Sequence, residues 1–147
     1  MTKKQKKFYS PQTYRLEESV FFLMAKNQLI FERIGDQHLE PFGISSSQMR
    51  VLMLIGSLDS PTVSQIALRL GSHPAATVRT LDRLEKKGWI KRRRSTEDRR
   101  VVHLSVTAKA KELLTELPSC LCDFLNRSLD GVSEDEFKTV KKVLDMI

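Results

Sequence analysis

The sequence predicts a mainly α-helical (α+β) domain that contains six helical segments and one short β-hairpin. Apolar residues recur every three or four positions through most of the chain, which is the period of a helix that buries one face. The exception is a stretch in which two runs of β-branched and aromatic residues flank a short polar segment, as in a hairpin; the runs are Trp89–Arg94 and Arg100–Val106. The 147 residues are enough for a single domain, 1–147, with its own core.

Charge and composition restrict the function classes. The formal net charge of +7 favours an anionic partner, nucleic acid first and an acidic membrane surface second. No apolar run approaches the roughly 20 residues of a membrane-spanning helix, and no apolar signal segment follows the N-terminal lysines. Cys120 and Cys122 are too close in sequence for a comfortable disulfide, which indicates a reducing compartment. We therefore expect a cytoplasmic protein with no membrane partner.

The first predicted helix runs from Thr13 to Leu39, and Pro41 and Gly43 end it. Around Val20–Ala25 it is apolar on every side, so more than one surface has to cover it. A domain of this size has limited core for such a helix. We infer that a second copy of the chain covers part of it.

Three shorter helices follow, and each has residues that favour its start. Ser45 and Gln48 form a capping box for the first helix. Thr62 is the expected N-cap of the second, and Pro74 stands at the first position of the third. Glycines end the second and the third. The predicted helices span 46–58, 63–70 and 74–87.

Two more helices follow the hairpin. Thr107 is the expected N-cap of a helix that Pro118 should kink or split. The last helix opens with a capping box of Ser133 and Glu136. Because a solvent-facing terminus needs no apolar stripe, the stripe of this helix predicts a partner. Its residues are Phe137, Val140, Leu144 and Ile147.

The hairpin is strongly basic; its cations are Lys91, Arg92, Arg93, Arg94, Arg99 and Arg100. Like charges this close are costly unless a polyanion neutralises them, which favours a hairpin that lies along nucleic acid. The alternative is a solvated hairpin whose charges prevent edge-to-edge aggregation. From Arg83 to His103, nine Lys and Arg residues stand against three acidic ones, a local net charge of +6. Because most of the excess charge lies here, we favour the nucleic-acid interpretation.

Helix, turn, short helix, turn, helix and hairpin is the element order of a winged helix-turn-helix. In that arrangement 74–87 is the recognition helix, which enters the major groove. Thr77, Leu81 and Leu84 form its inner face, so the opposite face meets DNA. Arg79 can read a guanine through two hydrogen bonds, and Val78 can contact a thymine methyl group. The predicted DNA contacts are Ser72, His73, Ala75, Ala76, Val78, Arg79, Arg83, Arg94, Asp98, Arg99 and Arg100.

Several fragments, taken in order, resemble the MarR family of bacterial transcriptional regulators. They are Ile44-Ser45-x-x-Gln48, Ile66-Ala67-x-x-Leu70-Gly71, Leu81-Asp82-Arg83-Leu84-Glu85-x-x-Gly88-Trp89-Ile90-x-Arg92, Asp98-Arg99-Arg100 and Leu104-Ser105-Val106-Thr107. Each fragment alone is a weak signal, whereas their order and spacing together are specific. The flanking helices resemble the family in length and placement.

The resemblance implies a homodimer held by helical regions 11–40 and 108–147 around a DNA-binding lobe, 44–107. It implies a sequence-specific regulator, by our hypothesis a repressor, whose two recognition helices bind the half-sites of a palindromic operator in double-stranded DNA. In the family's Asp-x-Arg pattern, Asp98 would brace Arg100, and Arg99 or Arg100 would enter the minor groove. The alternative is an architectural or RNA-binding winged-helix protein without an effector.

Members of the family often respond to small aromatic ligands held between the dimer helices and the DNA-binding lobe. An apolar stripe of this kind is more often core than pocket; the candidates for such a site are Phe21, Phe22, Met24, Phe31, Met49, Met53 and Phe124. We expect Cys120 and Cys122 to be free and buried. The alternative is that they form a redox switch. The three histidines have no metal-ligand spacing, and no catalytic motif is present. We therefore expect neither enzyme activity nor a cofactor.

Overall fold

The computed structural model of the chain describes residues 7–98 and 100–146. Within these residues the helices are α1 (Val20–Leu39), α2 (Ser46–Ser57), α3 (Val63–Arg69), α4 (Pro74–Lys86), α5 (Ala108–Ser128) and α6 (Glu134–Leu144). The strands are β1 (Ile90–Arg94) and β2 (Val102–Val106), and short 3-10 turns at Leu16–Glu18 and Glu40–Phe42 flank α1. The predicted fold class, mainly helical with one hairpin, is confirmed. None of the described helices is long and apolar enough to cross a membrane.

Helix α1 begins at Val20, so the predicted start at Thr13 is wrong. Ser19, the residue before the helix, is extended, and its side chain makes no capping hydrogen bond. The Tyr9 hydroxyl instead accepts the backbone N–H of Val20 at 3.1 Å. The first amide groups of a helix need partners from outside the helix, and here the partner lies well upstream in the sequence. The segment between them turns back on itself instead of extending the helix.

The other helix starts agree with their predicted caps. Ser45 with Gln48 and Ser133 with Glu136 form capping boxes, and the Thr107 side chain caps α5. Two hydrogen bonds lower the pKa of the Glu136 carboxyl, because both stabilise its charged form. The Ser133 hydroxyl has the larger effect and the Ser133 backbone amide the smaller one. These starts were predictable because a cap involves only residues close in sequence.

Helix α5 continues through Pro118 as one element from Ala108 to Ser128, so it is not split there. A proline removes one hydrogen bond of the helix. Leu117, just before the proline, is buried in the core, and Leu121, just after it, packs against the same core. Of the two predicted outcomes, the split is therefore wrong, whereas the kink stays a prediction.

The hairpin and the central helices share one core. Strands β1 and β2 are antiparallel, with Ile90 opposite Val106 and Arg92 opposite Leu104. The second strand begins at Val102 and not at the predicted Arg100. The largest fully buried side chains come from every part of the lobe and from both flanking helices; they are Leu39, Leu52, Ile66, Leu81, Leu84, Leu104 and Leu117. The core therefore fixes the hairpin and α4 relative to α2.

Replacing Leu84 with alanine should destabilise the fold strongly. Leu84 is fully buried on the inner face of α4, and a Leu→Ala change at such a site costs about 2–5 kcal/mol of unfolding free energy. Urea denaturation at one protein concentration measures the loss. The matched control is Leu68→Ala, since Leu68 on α3 is 82% exposed, and its effect should stay within about 0.5 kcal/mol. Similar losses for both variants would contradict the position of the core.

Candidate nucleic-acid interface and effector cleft

Helix α4 presents one face to the core and the other to solvent. Thr77, Leu81 and Leu84 are buried. Because the helix repeats every 3.6 residues, the predicted base-reading residues Val78 and Arg79 lie on the exposed side. Other predicted contacts on α4 are placed as follows: Ala75 and Arg83 are exposed, and Ala76 is half-buried. Arg83 lies in the C-terminal half of α4, beside a polar cleft of about 620 Å³ that Lys87 also lines.

The start of α4 orients two polar side chains differently. The His73 Nδ1 atom accepts the backbone N–H of Ala75 at 3.2 Å, so the neutral ring carries its proton on Nε2, where it can be donated outward. The Ser72 hydroxyl instead lies 2.7 Å from the Thr77 hydroxyl, within the fold. His73 is thus better placed than Ser72 to donate a hydrogen bond to a phosphate.

Arg92 is held within the fold and differs in this from its neighbours in the hairpin. Its Nη1 atom lies 2.7 Å from Asp82 Oδ1 and 3.4 Å from Glu85 Oε2, both on α4. Arg92, which is one of the six hairpin cations but not one of the predicted DNA contacts, therefore connects the hairpin to α4. Arg93 and Arg94 are exposed, and neither has an ion pair among the described residues.

Asp98 shapes the tip of the hairpin through the backbone. Its Oδ1 atom accepts the N–H of Arg100 at 2.9 Å, and its carbonyl accepts the N–H of Val101 at the same distance. The turn thus uses the amides that the predicted strand would have started with, which explains the later start of β2. Asp98 thus contacts the backbone amide of Arg100, and no ion pair joins it to the Arg100 guanidinium among the described residues. The expected brace of the guanidinium stays a prediction. Arg99 lies outside the described residues.

The loop between α2 and α3 pairs with strand β2 of the hairpin through its backbone. The N–H of Leu104 donates to the Pro61 carbonyl at 2.8 Å, and Thr62 forms a bridge with His103. The His103 Nδ1 atom lies 2.9 Å from the Ser60 carbonyl oxygen. From its position in the basic strand, His103 would be expected to contact DNA or solvent. It instead connects the hairpin to the lobe.

A cleft of about 330 Å³ lies between α1, α2 and α5. Four of the predicted ligand residues line it: Phe31, Met49, Met53 and Phe124. The rings of Phe31 and Phe124 meet edge to face with centroids 5.9 Å apart. The structure does not bring Phe21, Phe22 and Met24 into this lining, because they lie about two turns or more before Phe31 on α1.

Polar residues that the sequence did not indicate stand at one edge of this cleft. Arg50 Nη2 and Glu32 Oε1 form an ion pair at 2.7 Å, and both residues line the cleft.

Cys120 and Cys122 are free; Cys120 is half-buried, but Cys122 is exposed, so the expectation of two buried cysteines is wrong for Cys122. Among residues 7–98 and 100–146, no group of three or more His, Cys, Asp or Glu side chains could hold a metal ion.

Known proteins share this arrangement. The sequence model of the MarR family matches residues 44–102. The HTH-type transcriptional regulator YfiV of Bacillus subtilis (strain 168) is 38% identical over 132 residues, which cover 89% of this chain and 82% of that protein. The chain belongs to the MarR family. It is accordingly a winged-helix transcriptional regulator, as the resemblance implied.

Solved structures confirm the fold of this MarR-family chain. A MarR protein from Peptoclostridium difficile superimposes with a TM-score of 0.84 at 16% identity, covering 97% of this chain and 92% of that one. A mutant MarR from E. coli complexed with operator DNA gives a TM-score of 0.80 at 23% identity, covering 91% of this chain and 98% of that one. The order and packing of the helices and hairpin are therefore those of the family.

In this MarR-family lobe, Arg92→Ala should reduce stability, whereas Arg93→Ala should not. Arg92 contacts two carboxylates of α4, and Arg93 is exposed on the same strand. We expect a loss of about 1 kcal/mol in the unfolding free energy for Arg92→Ala and a change within about 0.5 kcal/mol for Arg93→Ala. Urea denaturation of both variants, side by side, measures the difference. An unchanged stability for Arg92→Ala would show that the ion pair does not hold the hairpin.

Proposed function

We propose that the protein is a homodimeric repressor that binds a palindromic operator in double-stranded DNA and is released by a small aromatic ligand. The observation that carries the proposal is that α4 and the hairpin strand β1 are in contact, and that Arg79 on α4 and Arg93 and Arg94 on the hairpin are all exposed. DNA is the partner that this surface fits, because a helix fills the major groove and cations neutralise phosphates.

Dimerisation is supported by apolar surface that the single chain leaves uncovered. None of residues 134–144 in α6 is buried, and Phe137 and Val140 on its apolar stripe are 42% and 54% exposed. Within α1, residues 20–39, Leu39 alone is buried, and Phe21 is 64% exposed. Apolar surface of this extent marks protein–protein contacts. A second copy that covers α1 and α6 would remove it from water and place two lobes side by side.

Operator binding is supported by the positions of two arginines, one on the recognition helix and one at the tip of the hairpin. Arg79 projects from the middle of α4, where a side chain can reach base edges. Arg100 stands at the hairpin tip, where an arginine can enter a narrow minor groove. Two lobes would place their recognition helices about 34 Å apart, one turn of DNA. The solved MarR–operator complex from E. coli and the MepR–DNA complex from S. aureus are of the same fold, which supports this arrangement.

Release by a ligand is supported by the position of the cleft. The cleft lies between α1, which belongs to the proposed dimer region, and α2, which packs against the recognition helix. Phe31, Met49, Met53 and Phe124 offer aromatic and thioether contacts to a flat apolar ligand. A molecule that enters between α1 and α2 would change the position of the lobe relative to the dimer helices. A ligand that separates operator-bound lobes in this way acts on a repressor as an inducer.

Footprinting tests the proposed function. A dimer on a palindromic operator protects one bounded, symmetric site, with affinity that falls steeply as salt rises. Uniform protection of any duplex, or a preference for RNA, would support the architectural or RNA-binding alternative and reject the operator.

Arg79→Ala and Arg100→Ala should affect DNA binding in different ways. On operators with single base changes, we expect Arg79→Ala to lose about 1–3 kcal/mol of discrimination at one position in each half-site. Arg100→Ala should weaken binding to operator and random DNA alike and lower the salt slope by about one. Fluorescence anisotropy on both DNAs measures the two effects. Equal behaviour of the variants on every DNA would contradict the division into base-reading and groove contacts.

Phenolic compounds should raise the melting temperature of the protein only while the cleft is open. Met53→Trp fills the cleft, and Leu68→Trp adds the same side chain at an exposed site on α3. At one hundred times its Kd, a ligand should stabilise the wild type by about 2.7 kcal/mol. We expect it to stabilise the Leu68→Trp variant equally and the Met53→Trp variant not at all. Thermal shift and calorimetry measure this. No response to any phenolic acid or neutral phenol would count against the effector.

A further inference from the structure

The junction between α1 and the lobe contains hydrogen bonds that the proposed DNA contacts do not use. Ser46, in the first turn of α2, donates its backbone N–H to Asp36 Oδ1 at 2.6 Å and its hydroxyl to the Glu32 carbonyl at 3.2 Å. A Cβ on Gly35 would lie 2.5 Å from the Ser46 hydroxyl. Helix α2 therefore starts in close contact with α1, and a side chain at position 35 would displace the Ser46 hydroxyl.

Lys87 extends this junction to the recognition helix. It is the C-cap residue of α4, and its Nζ donates to the Gly43 carbonyl at 2.7 Å and to Gln48 Oε1 at 3.3 Å. Gln48 is only 5% exposed, and the same oxygen accepts the Ser45 N–H at 3.2 Å within the capping box. One ammonium group thus joins the end of α4 to the turn after α1 and to the start of α2.

The turn that supplies one of these acceptors has a defined conformation. Gly43 adopts a φ of +67°, in the left-handed region that residues with a side chain rarely enter. This conformation ends the 3-10 turn after α1, so the backbone around the Gly43 carbonyl is fixed by the turn. Lys87 therefore bonds to a carbonyl whose direction is set by α1 and not by the lobe alone.

The contacts of Lys87 lie far from the residues that would read bases. Arg79 precedes Lys87 by eight residues, which is about 12 Å along a helix at 1.5 Å per residue. A cation at a helix C-terminus is also favoured by the helix dipole. Lys86 and Lys87 are both exposed and neither has an ion pair among the described residues, but the Lys87 ammonium makes two hydrogen bonds. Of these two adjacent cations, Lys87 is the one that connects α4 to the junction.

We propose that Lys87 is a positioning residue that sets the angle of the recognition helix relative to the dimerisation helices, and through it the half-site spacing that the dimer accepts. The proposal rests on the proposed function, since it needs a dimer on two half-sites. Because α4 is a rigid helix held near its end, a small rotation there displaces its N-terminal residues by a larger distance. Recognition contacts need placement within about 0.5 Å, so loosening this end changes which DNA spacing fits.

The test compares Lys87→Met with Lys86→Met, which removes the same charge from the adjacent position. Affinity of the full-length protein is measured on the operator with its natural spacer and with spacers one base pair longer and shorter, at several salt concentrations. We expect Lys87→Met to bind the natural spacer roughly tenfold more weakly, to discriminate less between spacers, and to keep the wild-type salt slope. Lys86→Met should keep the wild-type discrimination between spacers.

Gln48→Glu is the conservative variant, because a carboxylate still accepts both the Ser45 amide and the Lys87 ammonium. It should keep the spacer discrimination of the wild type. If circular dichroism shows that Lys87→Met is unfolded, Lys87→Gln is measured in its place with the same expectation.

A loss that is equal for all spacers, or a smaller salt slope, would overturn the proposal, because Lys87 would then only stabilise the fold or contact phosphate. Failure of the proposed function is distinguishable from this result. In that case the wild type itself protects no bounded two-half-site region, and the positioning role fails with it before any variant is compared.

Discussion

The burial of Thr77, Leu81 and Leu84 on one side of α4 is the constraint on which the rest of the structure depends. Those three side chains contribute to the core, and with 3.6 residues per turn their burial determines which residues face outward. Arg79 is exposed for that reason and not through any contact of its own. Burial of apolar side chains provides the energy that holds the helix in place, and it fixes the rotation of α4 about its own axis.

Burial fixes α4 against the core, and polar contacts at points along the helix add to this. His73 caps its start, the Arg92 guanidinium reaches Asp82 in its middle, and Lys87 holds its end. Each of these contacts is partly open to solvent, where a single ion pair or hydrogen bond adds little stability. The His73 cap is local to α4, whereas Arg92 connects the helix to the hairpin and Lys87 connects it to the α1–α2 junction.

The arginines of the hairpin also differ in whether they contact the fold or face solvent. Arg92 and Arg93 are adjacent, but alternate residues of a strand point to opposite sides. Arg92 therefore meets carboxylates of α4, while Arg93 is exposed. A strand that looks uniformly basic thus has a structural cation next to one that is free for a polyanion. The hairpin can remain attached to the lobe and still present positive charge outward.

The sequence by itself determined the order of elements, the helix caps and the inner face of α4, because periodicity and capping depend on residues within a few positions of each other. Only the tertiary structure decided the start of α1, which depends on Tyr9, and the roles of Arg92 and Lys87. It also decided that Phe31 and Phe124, but not Phe21, line one cleft. These features join residues distant in sequence, and such contacts follow from how the elements pack, which local patterns do not specify.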